Sequence, residues 1–213
     1  MLKGGYGVGL GLRLETDFDD YYDSLFDDSG PLVYKRMAKD SMPRGKAINY
    51  LKGYGVPTLN PMSAGQFSRT HDKLVIYTNP KLHGGLGKII ETRSQAELMY
   101  GNSLAVPFIP GISDYLKFIQ IGSRRFHIIM HTCDDGIHCN PGKPSSITEI
   151  NPSLNYDIAI PIFSIDYIPV NNRMVAIDFN EVQHLGSLGF NRILCPDDVV
   201  AEIEKATVAY RIH

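Results

Sequence analysis

The stretch SIDYIPVNNRMVAIDFN, residues 164–180, decides the fold, because two segments of strand-forming residues flank a polar turn at Asn171-Asn172. This pattern predicts two β-strands joined as a hairpin. Side chains alternate faces along a strand, so Asp178 and Asn180 share one face. The hairpin brings Asp166, on the first strand, alongside them. Three oxygen donors on a rigid sheet suit Mg²⁺ when nucleotide phosphates supply its other ligands.

Two segments of this hairpin resemble the metal-binding strands of the ATP-grasp superfamily of carboxylate–amine ligases. Ile-Asp-Tyr-Ile at 165–168 is similar to the family's Val-Asp-hydrophobic-hydrophobic strand, and Ala-Ile-Asp-Phe-Asn at 176–180 is similar to its Glu-hydrophobic-Asn strand. The most similar branch adds amino acids to peptide or protein carboxyl ends, as the ribosomal-protein glutamate ligases do. The resemblance implies that the metal ligands are Asp166, Asp178 and Asn180. The alternative is a purely structural hairpin, because these residue types are common in antiparallel sheets.

The composition excludes several other classes of protein. The chain has 213 residues, is 43% hydrophobic and carries a formal net charge of −2, which predicts a globular protein of one domain or two small lobes without general attraction to nucleic acid or anionic membranes. No apolar run reaches the ~18 residues of a membrane span, and the N-terminus lacks a signal-peptide core. The 3 cysteines lack Cys-x-x-Cys spacing, which favours a reducing compartment. We therefore expect a soluble cytoplasmic protein.

The first part of the chain resembles the lobe that precedes the ATP-binding lobes of the superfamily. Its predicted elements are a strand at 32–36, a helix at 46–54 and a strand at 56–61. The following His-Asp-Lys-Leu at 71–74 resembles the family's Asp-Lys helix start, which implies a nucleotide-binding role for Lys73. We predict an α/β fold of α+β lobes with ATP-grasp-like organisation. A strand–helix–strand lobe occupies residues 1–72, and an antiparallel-sheet lobe that binds nucleotide and metal occupies residues 73–213.

A glycine-rich turn between two apolar strands at 75–90 is the candidate phosphate-binding loop. Such a turn presents backbone N–H groups to phosphate oxygens without interference from Cβ atoms, and the flanking Lys81 and Lys88 can neutralise a triphosphate. It resembles the superfamily loop Lys-Pro-x-x-Gly-x-x-Gly-x-Gly-hydrophobic, although Asn79 stands in the place of the nucleotide lysine. The resemblance implies nucleotide contacts from Lys81, Gly84, Gly85 and Gly87. Two alternatives remain. Residues 75–90 form a glycine-rich hairpin without a ligand, or the phosphate-binding loop is the similar glycine-rich stretch at 2–9.

Two later segments resemble the adenine linker and a conserved strand of the superfamily. Ala-Val-Pro-Phe-Ile-Pro-Gly at 105–111 is similar to Glu-Phe-hydrophobic-x-Gly, whose backbone pairs with adenine. Residues 114–122 are similar to Asp-x-Arg-x-hydrophobic-hydrophobic-Gly, with Leu116 at the place of the arginine. Adjacent strand residues face opposite ways, so Lys117 replaces that arginine only if the register differs. The nucleotide-binding candidates from these segments are Phe108, Ile109 and Lys117.

The polar segment at 131–143 has three interpretations. His131, Cys133, His138 and Cys139 supply four potential zinc ligands, but without the usual knuckle spacing. Alternatively, Gly-Ile-His-Cys-Asn at 136–140 resembles the family's substrate loop Asp-Phe-Arg-Ser-Asn. That resemblance implies catalytic roles for His138 and Asn140, with a histidine in place of the arginine that steadies an acyl-phosphate. A plain polar loop is the third interpretation.

The resemblance implies a reduced ATP-grasp protein with several substituted site residues and with ATP and Mg²⁺ as cofactors. Its leading function is a carboxylate–amine ligase that forms a peptide bond through an acyl-phosphate. Its partners would be a small-molecule or peptide carboxylate and an amine or amino acid, with no nucleic acid or membrane and with a possible homo-oligomer. One alternative is a degenerate member that binds nucleotide, peptide or a protein partner without catalysis. Another is an unrelated α/β interaction protein.

Overall fold

Two antiparallel sheets form the frame of the protein. The computed structural model describes residues 43–67, 71–79, 87–131, 146–150, 158, 160, 162–180, 190, 193–195, 197–199, 201–202 and 205. The elements are α1 (Arg44–Gly53), β1 (Met62–Ser63), a 3₁₀ turn (Ala64–Gln66), β2 (Lys73–Tyr77), β3 (Lys88–Thr92), α2 (Arg93–Tyr100), β4 (Leu104–Pro107), β5 (Asp114–Ile121), β6 (Arg124–His131), β7 (Ser146–Glu149), β8 (Ile162–Val170) and β9 (Arg173–Asn180). The smaller sheet has the order β1-β4-β2-β3, and the larger has the order β7-β6-β5-β8-β9.

The hairpin predicted from residues 164–180 is confirmed as β8 and β9. Asn171 and Asn172 form its turn with φ of 49° and 61°, and two positive φ angles in a two-residue turn match the right-handed twist of the flanking strands. Asparagine tolerates this conformation better than most residues. The pairing shifts between Asp166 and Tyr167, which leaves one extra residue in β9 and makes a β-bulge beside the two acids.

The larger sheet is covered by a different apolar core on each face. On one face, α1 packs its buried Ala47 and Leu51 against Phe118, Phe163 and Phe179. On the other face, a second core is formed by Ile119, Ile121, Phe126, Ile128, Met130, Ile162, Phe190, Leu194 and Val199. Phe179 lies in the α1 core, opposite in direction to Asp178, as the strand alternation predicts.

The smaller sheet carries α2 on one face. Ala96 of α2 packs with Leu74, Ile76 and Ala105 in a third core. The helix begins where it does because the Thr92 hydroxyl accepts a hydrogen bond from the Gln95 backbone N–H, which satisfies one of the unpaired donors of the first turn. The sequence also predicts a helix at 94–100, and the structure has it one residue longer at its start.

Two sequence-based expectations for the segment before β2 are wrong. Lys73 begins strand β2 rather than a helix, because the apolar Leu74 and Ile76 alternate into the third core. Residues 56–61 do not form a full strand. Only Thr58 makes an isolated parallel bridge, to Ala176 at the outer edge of β9. The predicted helix at 46–54 is confirmed but starts two residues earlier, at Arg44.

The described helices include none that is long and apolar enough to cross a membrane. The predicted strand at 32–36 lies outside the described residues. The sequence also predicts a helix at 196–210 from its apolar stripe, and the described residues within it, at 197–199, 201–202 and 205, are helical. The observed architecture is an α+β arrangement of two antiparallel sheets, which is the fold class predicted from the sequence.

Candidate functional site

A row of charged side chains crosses the three adjacent strands β5, β8 and β9. Lys117 pairs with Asp166, and Asp166 pairs with Asp178, so all three side chains project from the same face of the sheet. Lys117 Nζ lies 2.5 Å from Asp166 Oδ1 and donates to Ser164 Oγ at 3.5 Å. Leu116 faces the α1 core instead. The register therefore puts Lys117, rather than residue 116, beside the carboxylates.

Arg44 joins this row from a different element. It is the first residue of α1 and is only 4% exposed. Its Nη1 lies 2.7 Å from Asp178 Oδ1, and its Cζ lies 4.8 Å from the centre of the Tyr77 ring on β2. A single guanidinium thus connects α1, the smaller sheet and the larger sheet.

Lys88 approaches the row from the smaller sheet. It is the first residue of β3 and pairs directly with Tyr77. The pKa of Lys88 is lowered by burial and by the positive charges of Arg44 and Lys117, against the opposing charges of Asp178 and Asp166. Tyr77, its strand partner, lies against the Arg44 guanidinium that contacts Asp178, so Lys88 belongs to the surroundings of the row. Arg44, Lys88 and Lys117 outnumber the two acids, so the site has an excess of one formal positive charge.

The two carboxylates respond to this environment in opposite ways. Burial opposes ionisation of Asp178, but the positive charges of Arg44 and Lys88 outweigh it and hold its pKa below the usual value. Burial and the neighbouring Asp178 charge raise the pKa of Asp166, although Lys117 acts against them. Two adjacent buried carboxylates cannot both ionise easily. A cation added between them would relieve this repulsion.

Two tyrosines complete the polar surroundings. Burial raises the pKa of Tyr77 to about 12, although the charge of Arg44 opposes the shift. The pKa of Tyr115 on β5 is also raised, by burial first and then by the charges of Asp166 and Asp178. Both hydroxyls therefore stay protonated near neutral pH and can donate hydrogen bonds.

The oxygen donors of the row suit Mg²⁺ in their chemistry. Asn180 lies two residues beyond Asp178 on the same strand and pairs with Ser164, so its amide is on the face of the two acids. Two carboxylates and an amide form a hard oxygen set of the kind that binds Mg²⁺ together with phosphates. No group of three or more His, Cys, Asp or Glu side chains with metal-site spacing occurs within the described residues. A metal ion at this site would therefore need the Asn180 amide oxygen and oxygens of a bound ligand or water, in addition to the two carboxylates.

The remaining predicted nucleotide-binding residues are spread along the smaller sheet. The Gly87 carbonyl accepts hydrogen bonds from Thr78 N at 2.9 Å and Asn79 N at 3.3 Å, which closes the base of the glycine-rich loop. Lys73 is exposed at the other end of β2, roughly 13 Å along the strand from Tyr77. Phe108 donates its backbone N–H to the Lys73 carbonyl at 3.1 Å, and Ile109 follows it. These three residues do not contact the charged row.

Five predicted site residues lie outside the described residues, namely Lys81, Gly84, Gly85, His138 and Asn140. Of the four residues considered for zinc, His131 is described, and its Nδ1 contacts the Asp114 carboxylate. Arg44 was missed by the sequence reasoning. One signal for it exists: a cation in the first turn of a helix is unfavourable beside the positive end of the helix dipole, so an anionic partner is expected.

Comparison with known proteins identifies the fold. No family model matches the chain, and no curated protein sequence does. A structure of the ATP-grasp ligase PsnB with a phosphomimetic variant of its minimal precursor, Mg and ADP is similar with a TM-score of 0.56 and 9% identity, over 91% of this chain and 67% of PsnB. A structure of PsnB with the minimal precursor gives 0.53 and 9%, over 84% and 64%. The chain has an ATP-grasp-like fold.

A third solved structure of this ATP-grasp-like fold is biotin carboxylase from Campylobacter jejuni in complex with an ATP analogue. It is similar with a TM-score of 0.52 and 13% identity, over 81% of this chain and 47% of the carboxylase. The likeness concerns the fold alone at this level of identity. Within this chain, Arg44 connects the row to Tyr77 on β2, the strand partner of Lys88.

Proposed function

We propose that this protein is an ATP- and Mg²⁺-dependent ligase that joins a carboxylate to an amine through an acyl-phosphate. The observation that carries the proposal is the buried row of Lys117, Asp166 and Asp178, which meets Arg44 and Lys88 between the two sheets of an ATP-grasp-like fold. The excess of positive charge suits a polyphosphate, and the paired acids suit a divalent cation. The ribosomal-protein glutamate ligase branch stays part of this proposal.

The reaction follows from the low reactivity of a carboxylate toward amines. Transfer of the γ-phosphoryl group from ATP to a carboxylate oxygen yields an acyl-phosphate and ADP, and an amine then attacks the carbonyl carbon and displaces phosphate. Lys88 and Lys117 would neutralise the phosphate oxygens, and the rigid strands would hold the reactants in place. Mg²⁺ held by Asp166, Asp178 and Asn180 would supply further charge neutralisation at the phosphates.

The remaining roles are proposed from the resemblance. The nucleotide contacts would come from Lys73, Lys81, Gly84, Gly85, Gly87, Phe108 and Ile109. His138 and Asn140 would line the substrate loop, where a protonated histidine can stabilise phosphate charge. The acid would be a small molecule or a peptide and the amine an amino acid, in a cytoplasmic protein whose lobes divide at residues 72 and 73. PsnB, whose fold is similar, was solved with a minimal precursor.

A second candidate is a protein that binds nucleotide or peptide without catalysis. It is favoured by the fact that both carboxylates already have protein cations as partners, Arg44 at Asp178 and Lys117 at Asp166. Asn79, which stands in the place of the family's nucleotide lysine, also favours this second candidate. The two candidates share the ATP site and differ only in turnover.

Calorimetric titration with ATP, with and without Mg²⁺, tests the shared site. Binding that strengthens with Mg²⁺ supports both candidates, and absence of heat at millimolar ATP contradicts both. Release of ADP in a mixture of amino acids and peptides then distinguishes them. Amine-dependent ADP release supports the ligase, and Mg·ATP binding without any ADP release supports the second candidate.

A further inference from the structure

Arg44 is a buried cation in a position where a cation is unusual. Its guanidinium is almost completely buried, and it sits in the first turn of α1, which contains no acidic residue. A cation at this end of a helix opposes the helix dipole, and a buried charge requires close compensation. The residue lies at a point where α1 and both sheets meet.

The compensation that Arg44 receives is incomplete. Asp178 supplies one charged contact at 2.7 Å, and the Tyr77 ring supplies a cation–π contact. The Arg44 Nε is buried without a hydrogen-bond partner among the described residues, and Nη1 makes the ion pair with Asp178 without the geometry of a hydrogen bond. A guanidinium has five N–H donors in a rigid planar fork, which matches the oxygens of a phosphate. Donors of Arg44 are thus unused beside the Tyr77 ring, and Tyr77 is the strand partner of Lys88.

The acid that Arg44 contacts is also a proposed metal ligand. A metal ion bound to Asp178 would lie within a few ångströms of the guanidinium, and two cations at that distance in a buried site repel each other strongly. The Asp178 carboxylate therefore cannot fully compensate the charge of the guanidinium and the charge of a metal ion at the same time. An anionic phosphate near Lys88 would give the guanidinium a replacement partner.

We propose that Arg44 and a divalent metal ion compete for Asp178, and that the guanidinium, when displaced, donates its hydrogen bonds to a nucleotide phosphate. This inference rests on the proposed nucleotide and metal site. It makes Arg44 a further binding residue, supplied by the helix that precedes the sheets. The Tyr77 ring keeps the side chain in place in both states.

The test uses Mn²⁺ alone and ATP alone as separate probes of the full chain. Binding of Mn²⁺ without nucleotide is followed by electron paramagnetic resonance, and binding of ATP without metal is followed by calorimetry. Arg44→Gln is expected to bind Mn²⁺ about tenfold or more tightly, because a repelling charge is gone, and to bind ATP about tenfold or more weakly. Arg93→Gln is the matched control, since Arg93 pairs with Glu97 on the exposed side of α2, and it should change neither affinity.

Opposite changes in the two affinities support the inference, because a purely structural role would weaken both together. Parallel losses, or no change in either affinity, overturn it even if the wild-type protein binds Mg·ATP. If circular dichroism shows that Arg44→Gln is unfolded, the same two affinities are measured on Arg44→Lys. Lysine keeps the positive charge but lacks the planar fork of donors. That variant should bind Mn²⁺ about as the wild type does and ATP more weakly, and unchanged ATP affinity, or weaker binding of both probes, overturns the inference. A wild-type protein that binds neither probe overturns the inference, and one that also gives no heat with ATP and Mg²⁺ together refutes the proposed function as well.

Discussion

At the scale of single residues, the site is defined by charges that depend on one another. Asp178 keeps its low pKa because Arg44 and Lys88 offset its burial, and Asp166 is tied to Lys117. Removing one partner from a buried ion pair is more harmful than removing both, because it leaves an uncompensated charge. Substitutions in the row should therefore be strongly non-additive.

Asp178→Ala is expected to lower the free energy of unfolding by about 3–5 kcal/mol, because Arg44 stays buried without its acid. Combining it with Arg44→Met should cost less than the sum of the two single changes. Urea unfolding of the four proteins measures this double-mutant cycle. Glu97→Ala, which removes an exposed partner of Arg93, is the control and should cost no more than about 1 kcal/mol. Additive losses at 44 and 178 would contradict the coupling.

Lys88→Met is expected to separate stability from binding. The lowered pKa of Lys88 shows that its burial and its cationic neighbours disfavour its charge, so the neutral side chain should leave stability unchanged or higher. Affinity for ATP should fall about tenfold or more, since a charge-assisted contact contributes about 1.5–3 kcal/mol. Calorimetry and thermal melting measure the two effects. Lys52→Met, on the exposed side of α1, should change neither, and unchanged ATP affinity in Lys88→Met would remove Lys88 from the site.

At the scale of elements, the β8–β9 hairpin sets the position of the acids. Its turn fixes the register from Val170 opposite Arg173 to Tyr167 opposite Ala176, and the β-bulge beyond it moves the pairing by one residue, so that Asp166 lies opposite Asp178. Without the bulge Asp166 would lie opposite Ile177, and Asp178 would be on the other face of the sheet. The sequence predicts the hairpin and its turn at Asn171-Asn172, but not the bulge that brings Asp166 opposite Asp178.

The turn can be tested by its backbone conformation. Asn172→Val should lower the free energy of unfolding by about 1–2 kcal/mol, because a β-branched residue is strained at φ of 61°. Asn172→Gly should leave stability equal or slightly higher, since Asn-Gly is a preferred pair in such turns. Urea unfolding at neutral pH measures both variants. Equal stability of the valine and glycine variants would show that the turn is not held in this conformation.

At the scale of the whole molecule, α1 holds the smaller and larger sheets to a common site. Leu51 is fully buried between α1 and the larger sheet, while Arg44 at the other end of the helix reaches Tyr77 and Asp178. Docking of the helix by its apolar side therefore places its charged first residue. Loss of that docking should affect the site as well as the core.

Leu51→Ala should lower the free energy of unfolding by about 2–5 kcal/mol, because it creates a cavity under α1. Leu98→Ala is the control, since Leu98 on α2 is 81% exposed and its truncation should change stability by less than about 0.5 kcal/mol. Thermal and urea unfolding measure both. A similar small effect for the two variants would contradict the packing of α1 on the larger sheet.

The sequence by itself determined the local structure around the site. Alternation of apolar and polar residues defines β8 and β9, the asparagine pair defines their turn, and the period of two places Asp178 and Asn180 on one face, because these features depend only on neighbouring residues. Lys73 was misassigned to a helix start, since a short motif was weighed above the alternation of Leu74 and Ile76.

Only the tertiary structure decided which distant residues complete the site. Arg44 is more than a hundred positions from Asp178 in the chain, and no local pattern specifies their 2.7 Å contact. Lys117 meets Asp166 because β5 pairs with β8 in one particular register, and Lys88 is linked to them through Tyr77, its strand partner, and Arg44. Long-range contacts arise from the summed packing of all elements, so their charges and pKa shifts exist only in the folded chain.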